Sequence, residues 1–137
     1  MRVCILYKDV SSSTSCKVVA ESLAKGIQQQ GHFVDLFNIA TNLGKNISFY
    51  DYIAVGTSAA NFFGGKIDPQ IAQFLKQCGT ISGKRSFAFI TKRGLRKGKT
   101  LLALMKIMEK EGFYLTYSEV MSGSAFAEEV GKRLLIT

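Results

Sequence analysis

The sequence predicts an α/β domain in which a five-stranded parallel sheet lies between layers of helices. Two observations predict it. Short β-branched and aromatic runs alternate with stretches of ten or more residues whose apolar side chains recur at helical spacing, the order that right-handed parallel crossovers require. The strand runs are apolar at consecutive positions, which suits strands covered on both faces. With 137 residues, 47% hydrophobic content and one proline, the chain can bury one sizeable core but is too short for two ordinary domains. A single unit over residues 1–137 is therefore expected.

Taken in order, residues 2–7 (RVCILY) read as the first strand. A hydroxyl-rich stretch, DVSSSTS, follows. Val19, Leu23 and Ile27, with Ala20 and Ala24 beside them, then repeat as one face of a helix until Gly31, with serines as its cap. Residues 33–37 make a short second strand. A polar stretch over 41–48, read as holding a brief helix, leads to a third strand at 52–55 that Gly56 ends. Beyond TSAANFFGGKID, the residues Ile71, Phe74, Leu75 and Cys78 keep the i, i+3, i+4, i+7 stripe of a helix starting near Asp68 and Pro69. Residues 86–90 are the fourth strand. Leu101, Leu104, Met105 and Met108 mark a helix that Gly112 terminates, residues 114–120 the fifth strand, and Phe126, Val130 and Leu134 a last helix.

Eighteen basic against ten acidic side chains give a net charge of +8, and the excess is concentrated. Between Asp68 and Glu109 there is no acid, while Lys76, Lys84, Arg85, Lys92, Arg93, Arg96, Lys97, Lys99 and Lys106 all fall inside. Such a field attracts phosphates, nucleic acid or an acidic protein. The cysteines, Cys4, Cys16 and Cys78, are odd in number and show no CxxC spacing, so neither a disulfide framework nor a zinc site is expected and a reducing cytoplasm fits. No apolar run approaches the roughly 18 residues of a membrane span, and the apolar stretch at residues 3–7 is too short for a signal peptide. Neither a leader nor an anchor is expected.

In an open parallel sheet, ligands bind beyond the strands' C-terminal ends where the strand order reverses. Three loops should meet there, at residues 9–16, 57–66 and 91–99. The first sets Ser11, Ser12, Ser13, Thr14 and Ser15 against the start of a helix, where hydroxyls and unpaired amides at the positive end of the dipole can hold a phosphate. The same run also suits one capping serine among polar filler. The second loop carries Phe62 and Phe63 beside Gly64 and Gly65, an aromatic surface for a flat ring with backbone free to approach closely, or a core phenylalanine beside a turn. The third, TKRGLRKGK, is strongly basic, fit for an anion or simply solvated.

With that layout and those loops in hand, the chain resembles the flavodoxin family along nearly its whole length. Flavodoxins cradle the phosphate of FMN in a loop of the form Thr/Ser-x-Thr/Ser-Gly-x-Thr/Ser after the first strand. Over SSSTSC this sets Ser11 and Ser13 on the first two hydroxyl positions, Thr14 where the family has glycine and Cys16 where it has a final hydroxyl. A β-branched residue at the glycine position restricts positive φ. The resemblance implies a flavodoxin-like sandwich with strand order 2-1-3-4-5. It also implies FMN, held by Ser11, Ser12, Ser13, Thr14, Ser15 and Cys16. Thr57, Ser58, Ala59, Asn61, Phe62, Phe63 and Gly64 would flank the ring from the second loop, and Thr91, Lys92, Arg93 and Gly94 from the third. The activity implied is electron transfer or a flavin-dependent reduction, in which the flavin does the redox chemistry and no protein acid, base or nucleophile is needed. Family electron carriers are acidic whereas this chain is basic, so a redox partner should present an acidic surface or dock in a different way.

Other readings fit less well. GLRKGKT after the fourth strand is one residue short of a Walker loop, with Arg93 at the required glycine. The nucleophilic cysteine of a phosphotransferase loop would fall at Lys8. No cysteine has the arginine of a Cys-x5-Arg phosphatase, and Asp9 stands without the second acid of a receiver domain. Cys16, at a helix start, is either a reactive thiol or a packing residue, and packing is favoured. His32 is expected at the surface, remote from the site. The competing class is a flavodoxin fold without FMN, a module binding an acidic protein, nucleotide or nucleic acid through Lys92, Arg93, Arg96, Lys97 and Lys99.

Overall fold

A computed structural model describes residues 1–9, 14–58, 67–91 and 97–136. Five parallel strands, β1 (Arg2–Lys8), β2 (Phe33–Asn38), β3 (Tyr52–Ser58), β4 (Arg85–Thr91) and β5 (Tyr114–Met121), form one sheet in the order β2-β1-β3-β4-β5. Four helices connect or follow them: α1 (Ser15–Gln29), α2 (Pro69–Lys76), α3 (Lys97–Lys110) and α4 (Ser124–Arg133).

The apolar runs split by alternation between two cores, as strands buried on both faces must. Val3 and Ile5 of β1, Ala54 of β3 and Phe87 and Phe89 of β4 face Val19, Leu23 and Ile27 of α1 and Ala127 of α4. Cys4 and Leu6, Ile53 and Val55, and Ala88 and Ile90 face the other way, onto Ile71, Phe74 and Leu75 of α2 and Leu104 and Met108 of α3. Asp68 caps α2 through its Oδ1, which accepts the Gln70 N–H at 2.9 Å, and Pro69 fills the first helical turn, where its missing donor costs nothing.

Four local expectations are corrected. The third strand does not stop at Gly56. It runs on to Ser58, and Gly56 pairs with Phe89 of β4, whose ring occupies the space a Cβ would need. Glycine here makes room for an aromatic ring and does not mark a turn. The brief helix sits earlier than the polar stretch, as a 3-10 turn over Ile39–Thr41 capped by the Asn38 side chain. Val130 of the last helix packs against the core and Leu134 is buried just past its end, as expected, but Phe126 is 40% exposed, and the residues buried within the helix are Ala127 and Gly131. A search for bulky apolar residues misses that face because α4 packs on α1 through glycines: a Cβ on Gly26 would fall on the Glu128 carbonyl oxygen and lie 2.8 Å from Gly131 Cα. Finally, Lys97 and Lys99 belong to the first turn of α3 and not to the loop before it.

Candidate functional site

Because the strands are parallel, β1, β3 and β4 all end at the same edge of the sheet, in Lys8, Ser58 and Thr91. The chain leaves β1 toward β2 on one side and returns across it to β3 on the other, so the reversal of winding lies between β1 and β3. The described residues around that point form a polar cluster.

Asp9, directly after β1, turns its carboxylate onto the start of α1. Its Oδ1 accepts the Cys16 N–H at 2.7 Å and its Oδ2 the Lys17 N–H at 3.1 Å. The serine cap expected for this helix is thereby corrected. The residue at the cap position is Thr14, with φ −118° and no side-chain bond to the helix, and a carboxylate from farther back satisfies the open amides. A negative group at the positive end of the helix dipole is favourable there. Nothing in the local pattern of the helix start signals this cap, since Asp9 lies seven residues before Cys16.

The other groups of the cluster are largely engaged. Lys8 Nζ donates to the Asp9 carbonyl at 2.9 Å and pairs with Asp68 at 3.4 Å, which ties β1 to the cap of α2. Thr57 Oγ1 donates to the Lys8 carbonyl at 2.7 Å. Ser15 Oγ lies 3.3 Å from Ser58 Oγ, joining the first residue of α1 to the last of β3. Thr91 is paired in register with Ser58 and is 3% exposed, yet its Oγ1 has no hydrogen-bond partner among the described residues. By strand alternation from Phe87 and Phe89, Thr91 is on the α1 side of the sheet, the side on which Ser58 meets Ser15.

Of the residues singled out from the sequence, the structure thus brings Thr14, Ser15, Cys16, Thr57, Ser58 and Thr91 to one edge. The Cys16 side chain is buried in the α1 core, and burial, reinforced by the Asp9 carboxylate, pushes its thiol pKa far above the ordinary range. What Cys16 presents at the edge is therefore its backbone amide. Ser11, Ser12, Ser13, Ala59, Asn61, Phe62, Phe63, Gly64, Lys92, Arg93, Gly94 and Arg96 lie outside the described residues. Lys8 and Asp9 are the members of the cluster that the sequence did not mark. His32 is partly buried at the start of β2, its Nδ1 3.1 Å from the Met1 amine. A concavity of about 560 Å³, lined by Tyr117, Phe126, Val130 and Leu134 among others, includes Arg85 at the N-terminal end of β4 and so sits away from this edge. Its lining also includes Glu119, Glu129 and Arg133, but none of the residues at the ends of β1, β3 and β4.

No family model and no curated protein matches the sequence. Solved structures do. The solution structure of two-electron reduced Megasphaera elsdenii flavodoxin aligns with a TM-score of 0.77 at 18% identity, over 95% of this chain and 96% of that one. A flavodoxin from the domain Archaea gives 0.74 at 17% identity, over 98% and 96%. The fold is that of the flavodoxins. A flavodoxin, WrbA-like protein from Agrobacterium tumefaciens is similar too, with a TM-score of 0.66 at 19% identity over 97% and 94%.

Against the flavodoxin resemblance, the described atoms at the start of α1 do not fit the phosphate of FMN. The described open amides there, those of Cys16 and Lys17, already donate to Asp9, and that carboxylate is a like charge in the same place. Lys8, at the end of β1, is engaged with Asp68. The hydroxyls of Ser58 and Thr91 can pair with hydroxyl groups of a ligand.

Proposed function

We propose that this flavodoxin-fold chain is a redox protein that holds a flavin across the C-terminal ends of β1, β3 and β4, and that it works in electron transfer or a flavin-dependent reduction in the cytoplasm. The observation that carries the reading is the Thr91 hydroxyl. A buried, unpartnered hydroxyl costs roughly 1–3 kcal/mol, and this one stands in a row of hydroxyls at the edge where parallel sheets bind ligands. A ligand that hydrogen-bonds it removes that cost. The fold shared with the flavodoxins over nearly the whole chain supports the ligand class.

In this reading Ser15, Ser58 and Thr91 meet the flavin's side chain. Phe62 or Phe63 lies against the ring, and Thr57 holds the end of β1 through the Lys8 carbonyl. The flavin supplies the electron chemistry. The protein orients the ring and excludes water. A partner docking near the basic residues of the third loop and α3 would present acidic groups.

The test is the visible absorption spectrum of the purified protein, before and after addition of FMN or riboflavin and removal of the excess. A retained flavin band supports the reading, and a protein that keeps neither flavin refutes it. The Asp9 cap favours a second reading, a flavin-free module that binds an acidic partner through Lys92, Arg93, Arg96, Lys97 and Lys99. Such binding would weaken steeply as salt rises.

A further inference from the structure

We infer that Asp9 is a resident anion at the start of α1, standing in for a ligand's phosphate, so that the site takes a flavin without a terminal phosphate in preference to FMN. The choice of ligand rests on the flavin reading above. The resident anion rests on the geometry alone.

Cys16 and Lys17 are the second and third residues of α1, so their amides have no acceptor within the helix. The two oxygens of Asp9 satisfy them one each, at 2.7 and 3.1 Å. A phosphate oxygen at the described start of α1 would compete for those two hydrogens. It would have to displace the carboxylate or bring a second negative charge against it, at a place part-buried at Cys16 and exposed at Lys17. Lys8 does not relieve this, because its ammonium is held by Asp68 and by the Asp9 carbonyl. The second and independent observation is the Thr91 hydroxyl, on a residue only 3% exposed and without a partner among the described residues, on the same side of the sheet as Ser58 and the start of α1. Hydroxyls without a free cation suit a neutral polyol chain, which riboflavin and FMN share, and not the dianion that only FMN carries.

Two measurements test this. In the first, riboflavin and FMN are titrated into the protein with flavin fluorescence as the signal. The wild type should bind riboflavin at least as tightly as FMN, and Asp9→Asn should shift the ratio toward FMN by about tenfold, since it removes the charge while keeping an acceptor for the helix. A wild type that prefers FMN by tenfold or more, or a ratio that Asp9→Asn leaves unchanged, overturns the inference. In the second, inorganic phosphate is the probe and the amide NMR signals of Cys16 and Lys17 are the readout. The wild-type signals should stay put, and those of Asp9→Asn and Asp9→Ala should shift saturably. Saturable shifts in the wild type, or none in a folded variant, overturn it. Asp9→Asn carries this test if Asp9→Ala does not fold. Should the variants gain phosphate while no form binds either flavin, the resident anion stands and the flavin reading falls.

Discussion

Replacing Gly131 by alanine should destabilise this protein even though alanine is the better helix former. In an unobstructed helix interior the change gains roughly 0.5–1 kcal/mol from backbone entropy. At Gly131 the added methyl would fall on the Leu23 carbonyl oxygen and lie 2.9 Å from both Gly26 Cα and Ile27 N. Those neighbours are backbone, so no side chain can swing away, and α1 and α4 must separate along their contact. Overpacking of this kind costs about 1–3 kcal/mol, and the open gap forfeits dispersion contacts along the helix pair. The net expectation is a loss of about 1–2 kcal/mol, read as a lower urea midpoint at unchanged slope. Gly98 is the control: it lies in the first turn of α3, where an added Cβ meets no atom of the described residues within 4 Å. Gly98→Ala should be neutral or stabilising by up to about 1 kcal/mol. If Gly131→Ala raises the midpoint as Gly98→Ala does, the close crossing of α1 and α4 is not a constraint and the argument fails.

Four further outcomes are expected. Gly56→Ala drives its methyl into the Phe89 ring and should cost about 1–3 kcal/mol in thermal or urea unfolding, whereas a turn-like role for Gly56 would leave the core untouched. Thr91→Val removes a buried unpartnered hydroxyl at nearly constant volume, so the flavin-free protein should gain about 1 kcal/mol in the same melts while flavin affinity falls. A loss of stability with affinity unchanged would show that the hydroxyl faces no ligand. Thr57→Val deletes the bond to the Lys8 carbonyl and should cost about 1–2 kcal/mol of stability, readable by urea denaturation. Burial raises the Cys78 thiol from 9.0 to about 11 and lifts the Cys4 and Cys16 thiols as well, so the native state keeps protons that the unfolded chain gives up above about pH 9. The stability the Cys78 thiol contributes is whole below that pH and is lost as pH rises toward 11, and that of the other two continues to fall beyond it. A urea midpoint that stays flat between pH 8 and pH 10.5, or that Cys78→Ala leaves with the same slope, would refute this.

What the sequence made legible follows from how local each cause is. β1 could be read because a strand covered on both faces needs apolar residues at successive positions, and Val3, Cys4, Ile5 and Leu6 are all buried. The start of α2 was legible because Asp68 and Pro69 act within one turn. The length of β3 was hidden because the reason for Gly56 is a ring on β4, more than thirty residues on. The face of α4 was obscured for a similar reason: Gly131 is buried because Gly26 is small, and neither residue carries an apolar signal by itself. At the site, the hydroxyls of Thr57, Ser58 and Thr91 were visible as residue types at strand ends, and that of Ser15 at a helix start. The role of Asp9 was not, because its carboxylate reaches forward across a loop to amides that any helix start would offer.

The union of α1 and α4 also bears on how the chain comes off the ribosome. Gln30, just past the end of α1, donates from Nε2 to the carbonyls of Gly131 at 2.6 Å and Leu134 at 3.0 Å, so the early helix fastens the close of the late one. Residues 124–136 emerge after every strand has been made, and until they do, one side of Leu23, Ile27 and Phe87 lacks its cover of Ala127, Leu134 and Ile136. The nascent domain therefore carries an unfinished apolar seam through most of its synthesis. Chaperone engagement or aggregation should centre on that seam, and chains halted before residue 124 should be the ones that need protection.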